Sequence, residues 1–186
     1  ANVTSLSQLS SKFLSKNCLR YMNKGFSFPT RVKTGLTSKK YKEMTKAYKD
    51  YVTEQQIGAL ASRCWPDFFT AYGTPVCAVL AMLNDLGVAA SCEADTYGAL
   101  SMYLGMQLTK HATFFGDPVS LDETENTITF WHCGTAACSL AREDTGARVD
   151  VHCNRKIGPT LDFGCRPCQE VTIFRIGKDG DGRFRF

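Results

Sequence analysis

The stretch SCEADTYGAL, residues 91–100, sets two carboxylates, Glu93 and Asp95, between a small-residue apolar run and the start of a helical pattern. Acids in such a place have two uses. One caps the helix by accepting a backbone N–H. The other faces the crevice beyond the carboxyl end of a strand, where parallel α/β sheets bind ligands. The spacing divides the roles: Asp95 caps the following helix, and Glu93, not needed for that, points into the crevice. Asp117, in FFGDPVS, follows another apolar run and is either a turn residue before Pro118 or a second acid of the site. His132, in TFWHCG, ends a third run, as a hydrogen-bonded core group or as a ligand. Two carboxylates and an imidazole in these positions match a site for a hard divalent cation. Oxygen ligands favour Mg²⁺ or Mn²⁺, and one imidazole still permits Mn²⁺.

The elements that must position these groups are legible as periodicity and punctuation. Residues 5–22 repeat Leu and Phe at helical spacing, and 23–37, with Gly25, Pro29 and Gly35, read as a loop. A second helix is expected over 38–61, with Tyr41, Met44, Ala47, Tyr48 and Tyr51 on one face. SRCWPDFFTAYG, 62–73, reads as a short strand and loop. A third helix follows, with Thr74 as its cap, Pro75 in its first turn and Gly87 at its end. VAASC, 88–92, suits a strand covered on both faces. A fourth helix over 95–108 carries Leu100, Tyr103, Leu104 and Leu108. This alternation predicts an α/β layer with a mostly parallel sheet flanked by helices over 1–109. From 110 to 186 the pattern turns β-rich. ATFFGDPVSL, NTITFWHC, ARVDVHC and EVTIFRI are strand-like, and DGDG at 179–182 makes a hairpin turn before RFRF. The chain stops there in mid-strand, so a piece of a longer protein is expected.

The 186 residues, 44% of them hydrophobic, supply ample core material for one large domain or parts of two. No run of about 18 apolar residues exists, so no transmembrane helix is expected. The N-terminus lacks the charged start and apolar middle of a signal peptide. Nine cysteines are an odd count, and most sit inside apolar runs, as Cys77 does in TPVCAVLAML. Reduced, buried thiols in a cytoplasmic protein are the simplest reading. Residues 1–50 hold eleven Lys or Arg against Glu43 and Asp50, a balance of +9; with +4 overall, the remainder carries −5. Such a segment is either a solvated helix face or a surface for nucleic acid or an acidic partner. Interleaving of its lysines with apolar residues favours the solvated face.

SRCWPDF, then PVCAVLAMLNDLGVAASCEADTYGALSMYLGMQLT, then FFGDPVSLDETENTITFWHCGTAACSLA, resembles the L-fucose/L-arabinose isomerase family, and most closely the group called L-fucose isomerase-like proteins. The likeness covers residues 60–176; residues 1–58 match by position only. It implies a metal-dependent aldose–ketose isomerase that uses Mn²⁺ (or Mg²⁺), here as the central α/β domain and the start of a C-terminal β-barrel-like domain. The family's metal-binding acid/base Glu, in its EADxxGAL-like motif, falls on Glu93. Its second acid, in the FxxDP-like motif, falls on Asp117. In the arabinose branch a WHCG-like motif contributes a His, here His132, as a ligand or an outer-shell group. A further metal-binding His belongs to a C-terminal segment with no match here, since His152 comes too early. The resemblance implies a small-molecule sugar substrate, homo-oligomers with sites at subunit contacts, and no membrane or nucleic-acid partner. An isolated chain of this extent is expected to be largely inactive. Arg63 and Trp65, in SRCWP, either line the crevice, with Trp65 stacked on a sugar face, or are a surface arginine and a packed core ring.

CRPC at 165–168 carries a reading from another class. With Cys133, Cys138, His152 and Cys153 it makes a candidate structural zinc site, and with the basic N-terminal segment a nucleic-acid- or protein-binding module. A redox role fits less well, because the motif precedes a strand-like run instead of opening a helix after one.

Overall fold

The computed structural model describes residues 35–186. The expected helix over 5–22 and residues 1–34 of the basic segment lie outside the described residues. Helix α1, Gly35–Glu54, buries Tyr41, Met44 and Val52, three to eight residues apart on one face, and sheds its lysines to the other. It ends seven residues before the expected 61. Gln56 turns left-handed (φ 53°), the Ile57 amide returns to the Val52 carbonyl at 2.9 Å, and Ala59–Ala61 become strand β1 instead. The expected strand and loop over 62–73 is also corrected. Cys64–Tyr72 form α2, wound as a π-helix with Trp65 extended inside it and closed by left-handed Gly73. The Thr70 hydroxyl donates back to the Pro66 and Asp67 carbonyls, and Phe68 turns inward beside Tyr48.

Helix α3, Cys77–Asp85, is the centre of the molecule, with Cys77 through Asn84 all buried. Its apolarity all round is what a helix enclosed on every side requires. Thr74 does not cap it. That hydroxyl is fully buried and donates to the Gly158 carbonyl at 2.9 Å, and Val76 takes the cap position without a side-chain bond. Gly87 (φ 84°) follows the end of α3 and starts the turn into β2, Ala89–Ser91, whose three residues are buried as their small size predicts. β1 and β2 pair in parallel, Ala59 with Ala89 through Ala61 with Ser91. Asn84 takes the place of a neighbouring strand for Ala90. Its Oδ1 accepts the Ala90 amide at 2.8 Å, and its Nδ2 donates to the Ala90 carbonyl at 3.0 Å and to the Thr135 carbonyl at 3.1 Å.

Helix α4, Thr96–Thr109, lies on β1 and β2 through its small residues. Gly98, Ala99, Ser101, Met102, Gly105 and Met106 are buried, and Leu100, Tyr103, Leu104 and Leu108 face outward. Gly98 leaves room for Phe115 on the buried side, because a Cβ there would stand 2.5 Å from the Phe115 ring.

Beyond residue 110 the strands pair antiparallel and two at a time. β3 (Asp117–Asp122) pairs with β4 (Thr127–Trp131), and β5 (Arg148–Asp150) with β6 (Thr160–Asp162). β7 (Gly177–Lys178) pairs with β8 (Phe184–Arg185) across the DGDG turn. EVTIFRI, expected as a strand, runs without a ladder partner among the described residues and is held by Arg175 and by the Ile176 amide on Ser101 Oγ at 2.9 Å. No closed barrel forms among the described residues. Val149 of β5 and Leu161 of β6 pack into the same core as α3, and the Asp85 carboxylate accepts the amides of Cys138 and Ser139 at 2.7 and 3.0 Å. The helical and β-rich stretches therefore share one interior.

Candidate functional site at the end of β2

The chain leaves β2 through a turn that separates the two opening carboxylates. Glu93 (φ 62°) and Ala94 (φ 56°) are both left-handed, a conformation that costs non-glycine residues energy and recurs at functional sites. The turn is pinned by the Ala94 amide on the Ser62 carbonyl at 3.0 Å and by Ser91 Oγ on the Asp95 carbonyl at 2.8 Å. Asp95 then caps α4, its Oδ1 accepting the Gly98 amide at 2.8 Å. Arg175 grips the same carboxylate with two bonds, 2.8 and 3.0 Å, and holds its pKa below the ordinary range, with the Gly98 amide adding to the effect against burial. Thus Asp95 is spent on structure, and Glu93 is left exposed at the rim.

His132 arrives from the other half of the chain, directly after β4. Its Nδ1 lies 3.1 Å from Thr135 Oγ1 and 3.5 Å from Cys133 Sγ, and its ring packs at 5.0 Å against Phe115. Ligand atoms of Glu93, His132, Cys92 and Cys133 all lie within 4.8 Å of one another. Burial alone draws the His132 pKa down. The neighbouring Cys133 sulfur, then the charges of Glu93 and Asp117, outweigh it and raise the value above the ordinary one. Asp117 stands opposite Trp131 in the β3–β4 register, one residue from His132, but outside the 4.8 Å group. Glu93 and His132 are brought together, with Asp117 at the edge in electrostatic reach.

Arg63 turns its guanidinium to Asp67 at 2.9 Å, and both side chains are largely exposed. Trp65 is 44% exposed, with its edge against Phe69 and the Arg155 guanidinium 3.4 Å from its ring centroid. Trp65 is therefore a partly exposed ring, one face already covered by a cation.

Behind the carboxylate lies a layer of thiols. Cys92 Sγ is pressed against Cys64 Sγ and lies 4.0 Å from Cys133 Sγ, which is 3.9 Å from Cys77 Sγ. Cys77 and Cys133 also share a 4.8 Å group with a ring nitrogen of His152. The thiols Cys77 and Cys92 stabilise the Cys133 thiolate, and against burial, with help from His132 and His152, they hold its pKa far below the ordinary range. The same contacts push Cys77 and Cys92 up. The close Cys92 thiol lowers Cys64 to about 7, opposed by burial. Sequence reasoning missed this convergence, although each of these cysteines stands at the edge of an element: Cys64 and Cys77 open α2 and α3, and Cys92 and Cys133 follow β2 and β4. The CRPC zinc reading is corrected. Cys165 and Cys168 are exposed, and neither they nor Cys138 and Cys153 belong to a metal-competent group among the described residues.

A carboxylate from the carboxyl end of the parallel strand pair thus meets an imidazole that follows β4, a donor set that could hold a metal ion. No family model matches the chain. No solved structure matches it either. Among curated proteins, sulfoquinovose isomerase of Clostridium sp. (strain MSTE9) is 74% identical over 140 residues, which are 75% of this chain and 31% of that protein. The sulfoquinovose isomerase of Alkalicoccus urumqiensis is 44% identical over 147 residues, 78% of this chain and 33% of that protein. That of Priestia aryabhattai is 42% identical over the same length and with the same coverage. Identity of this order over three quarters of the chain makes these sugar isomerases its homologues. The chain spans about a third of the length of the curated relatives it matches. The sugar in their name is neither fucose nor arabinose. No single helix among the described residues is long and apolar enough to cross a membrane.

Proposed function

We propose that the chain is the acid/base-bearing part of an aldose–ketose isomerase whose substrate is sulfoquinovose. The observation that carries this is the meeting of Glu93 with His132 in a chain 74% identical to a sulfoquinovose isomerase. Isomerisation moves a proton between adjacent sugar carbons through a cis-enediol. Glu93, exposed and left-handed at the strand end, removes the proton from one carbon and returns it to the next. A positioned carboxylate of this kind contributes about 10²–10⁴-fold in rate. His132, raised in pKa and anchored by Thr135, donates to or accepts from the sugar oxygens. Asp117, near His132, serves as the second acid.

The donor set suits Mn²⁺ or Mg²⁺: a carboxylate oxygen from Glu93, a ring nitrogen from His132, and the Asp117 carboxylate next to them. A cation held by these residues would lower the cost of negative charge on the two adjacent oxygens. The sulfo group is an anion, and Arg155, stacked on Trp65, is the cation that fits it, with the free face of Trp65 open to the sugar. Arg63, paired with Asp67, is left out of this reading.

The test uses a full-length protein containing this chain. It is assayed on sulfoquinovose, L-fucose and L-arabinose in deuterated water, with and without Mn²⁺. Ketose formation from sulfoquinovose, with solvent deuterium entering the migrating position, is expected. Glu93→Gln should lose at least about 10²-fold in kcat. Undiminished turnover by Glu93→Gln would overturn the assignment.

A further inference from the structure

Two thiols of the layer behind Glu93 are set off from the others by distance. Cys64 Sγ and Cys92 Sγ are 2.7 Å apart, whereas the next sulfur, that of Cys133, lies 4.0 Å from Cys92. A disulfide measures about 2.05 Å, so the pair sits nearer to bonding than to the spacing of the rest of the layer. The backbones that carry the two sulfurs are fixed side by side. Cys64 opens α2 just beyond β1, and Cys92 directly follows β2, the parallel partner of β1. The Ser62 amide donates to the Ser91 carbonyl and the Ala94 amide to the Ser62 carbonyl, each at 3.0 Å, which holds the segments together beyond the last paired residues. Paired strands run about 4.8 Å apart, inside the span of about 4.4–6.8 Å between Cα atoms that a disulfide bridges.

We propose that Cys64 and Cys92 form a reversible disulfide when the protein meets a hydroperoxide. Cys64 is 3% exposed and Cys92 is not exposed at all, so the peroxide meets Cys64 first. The deprotonated Cys64 sulfur attacks one peroxide oxygen. The O–O bond breaks, hydroxide leaves and takes up the thiol proton as water, and Cys64 becomes a sulfenic acid. Cys92 then attacks the Cys64 sulfur. The S–O bond breaks, the S–S bond forms, and the hydroxyl leaves with the Cys92 proton as a second water. The two thiols give up two electrons in all, and the peroxide accepts them. A dithiol reductant restores both thiols by exchange through a mixed disulfide. Cys77 and Cys133, 3.9 Å apart, would have to close a longer gap. The new bond joins the same two segments as the Ala94–Ser62 hydrogen bond, and so makes the hold on the left-handed Glu93–Ala94 turn covalent. None of this depends on the isomerase reading, since the state of two sulfurs is read without turnover.

The test treats the reduced full-length protein containing this chain with hydrogen peroxide, at a dose that oxidises the exposed Cys165. The protein is then unfolded with N-ethylmaleimide present and digested without reduction, and its peptides are mapped by mass. A Cys64–Cys92 linked peptide is expected, with Cys77 alkylated and the link gone after dithiothreitol. Its rate of appearance should rise with peroxide and be independent of protein concentration, as a bond within one chain requires. Cys92→Ala should leave Cys64 as a sulfenic acid that dimedone captures, with far less of that adduct in the unsubstituted protein. Because the alanine variant can fail to fold, the peptide map of the unsubstituted protein is decisive by itself. Three results each overturn the proposal: alkylation of both Cys64 and Cys92 after this dose, a Cys92–Cys133 link in place of Cys64–Cys92, or no dimedone adduct on Cys64 in a folded Cys92→Ala protein.

Discussion

Replacing Asn84 with alanine should be among the most damaging single changes in the chain. The carboxamide is 2% exposed and serves both backbone groups of Ala90 and the Thr135 carbonyl. Ala90 is itself fully buried, so water cannot replace the lost partner at its amide. A buried donor or acceptor left unsatisfied costs about 1–3 kcal/mol. One orphaned amide and two carbonyls deprived of a donor sum to about 3 kcal/mol, allowing for carbonyls that tolerate under-satisfaction better than amides. With a urea dependence of about 2 kcal/mol per molar, the midpoint should fall by about 1.5 M. The assay is equilibrium urea unfolding followed by far-ultraviolet circular dichroism and by tryptophan fluorescence. Gln169→Ala, at an exposed position, is the control and should move stability by less than about 0.5 kcal/mol. A midpoint shift for Asn84→Ala no larger than that of the control would refute the view that this side chain completes the sheet edge.

Gly134→Ala should also destabilise strongly, by about 3 kcal/mol in the same assay, because the glycine sits at φ 97° and a Cβ would stand 2.6 Å from the Leu161 carbonyl. Asp95→Ala removes the cap of α4 and should cost about 1 kcal/mol, whereas Asp95→Asn keeps a cap and should cost less. Since Arg175 depresses the Asp95 pKa, the associated stability is present above the ordinary carboxylate pKa and is lost as pH falls through the depressed value. Acid unfolding of Arg175→Gln should therefore begin from a lower plateau and show a shallower decline below pH about 4. Arg155→Gln should raise KM for sulfoquinovose in the full-length protein while sparing kcat, and steady-state kinetics on sulfonated and unsulfonated sugars would read the difference.

Small apolar residues in VAAS were enough to place β2, and the position of Asp95 before the helical pattern was enough to place the cap of α4, because both depend on neighbours close in sequence. β1 was not legible. Ala59–Ala61 continue a helical pattern, and only pairing with Ala89–Ser91, far along the chain, makes them a strand. The same holds for Thr74, whose spacing suits a cap but whose hydroxyl is claimed by Gly158, 84 residues on. At the site, the acid and the imidazole were readable as residues ending apolar runs. The thiol layer was not, since single cysteines carry no direction until α3, β2 and β4 are packed together. EVTIFRI misled because alternation describes side chains, and a strand also needs a partner for its backbone.

Helix α4 wears its leucines outward, with Leu108 at 73% exposure and Leu104 at 40%. In solution that stripe gives the chain something of the character of a surfactant. Loss to vessel walls and to hydrophobic chromatography resin should be the first sign, well before visible turbidity. Mild detergent or a lowered concentration of excluded salts should recover the material, since both weaken apolar adhesion.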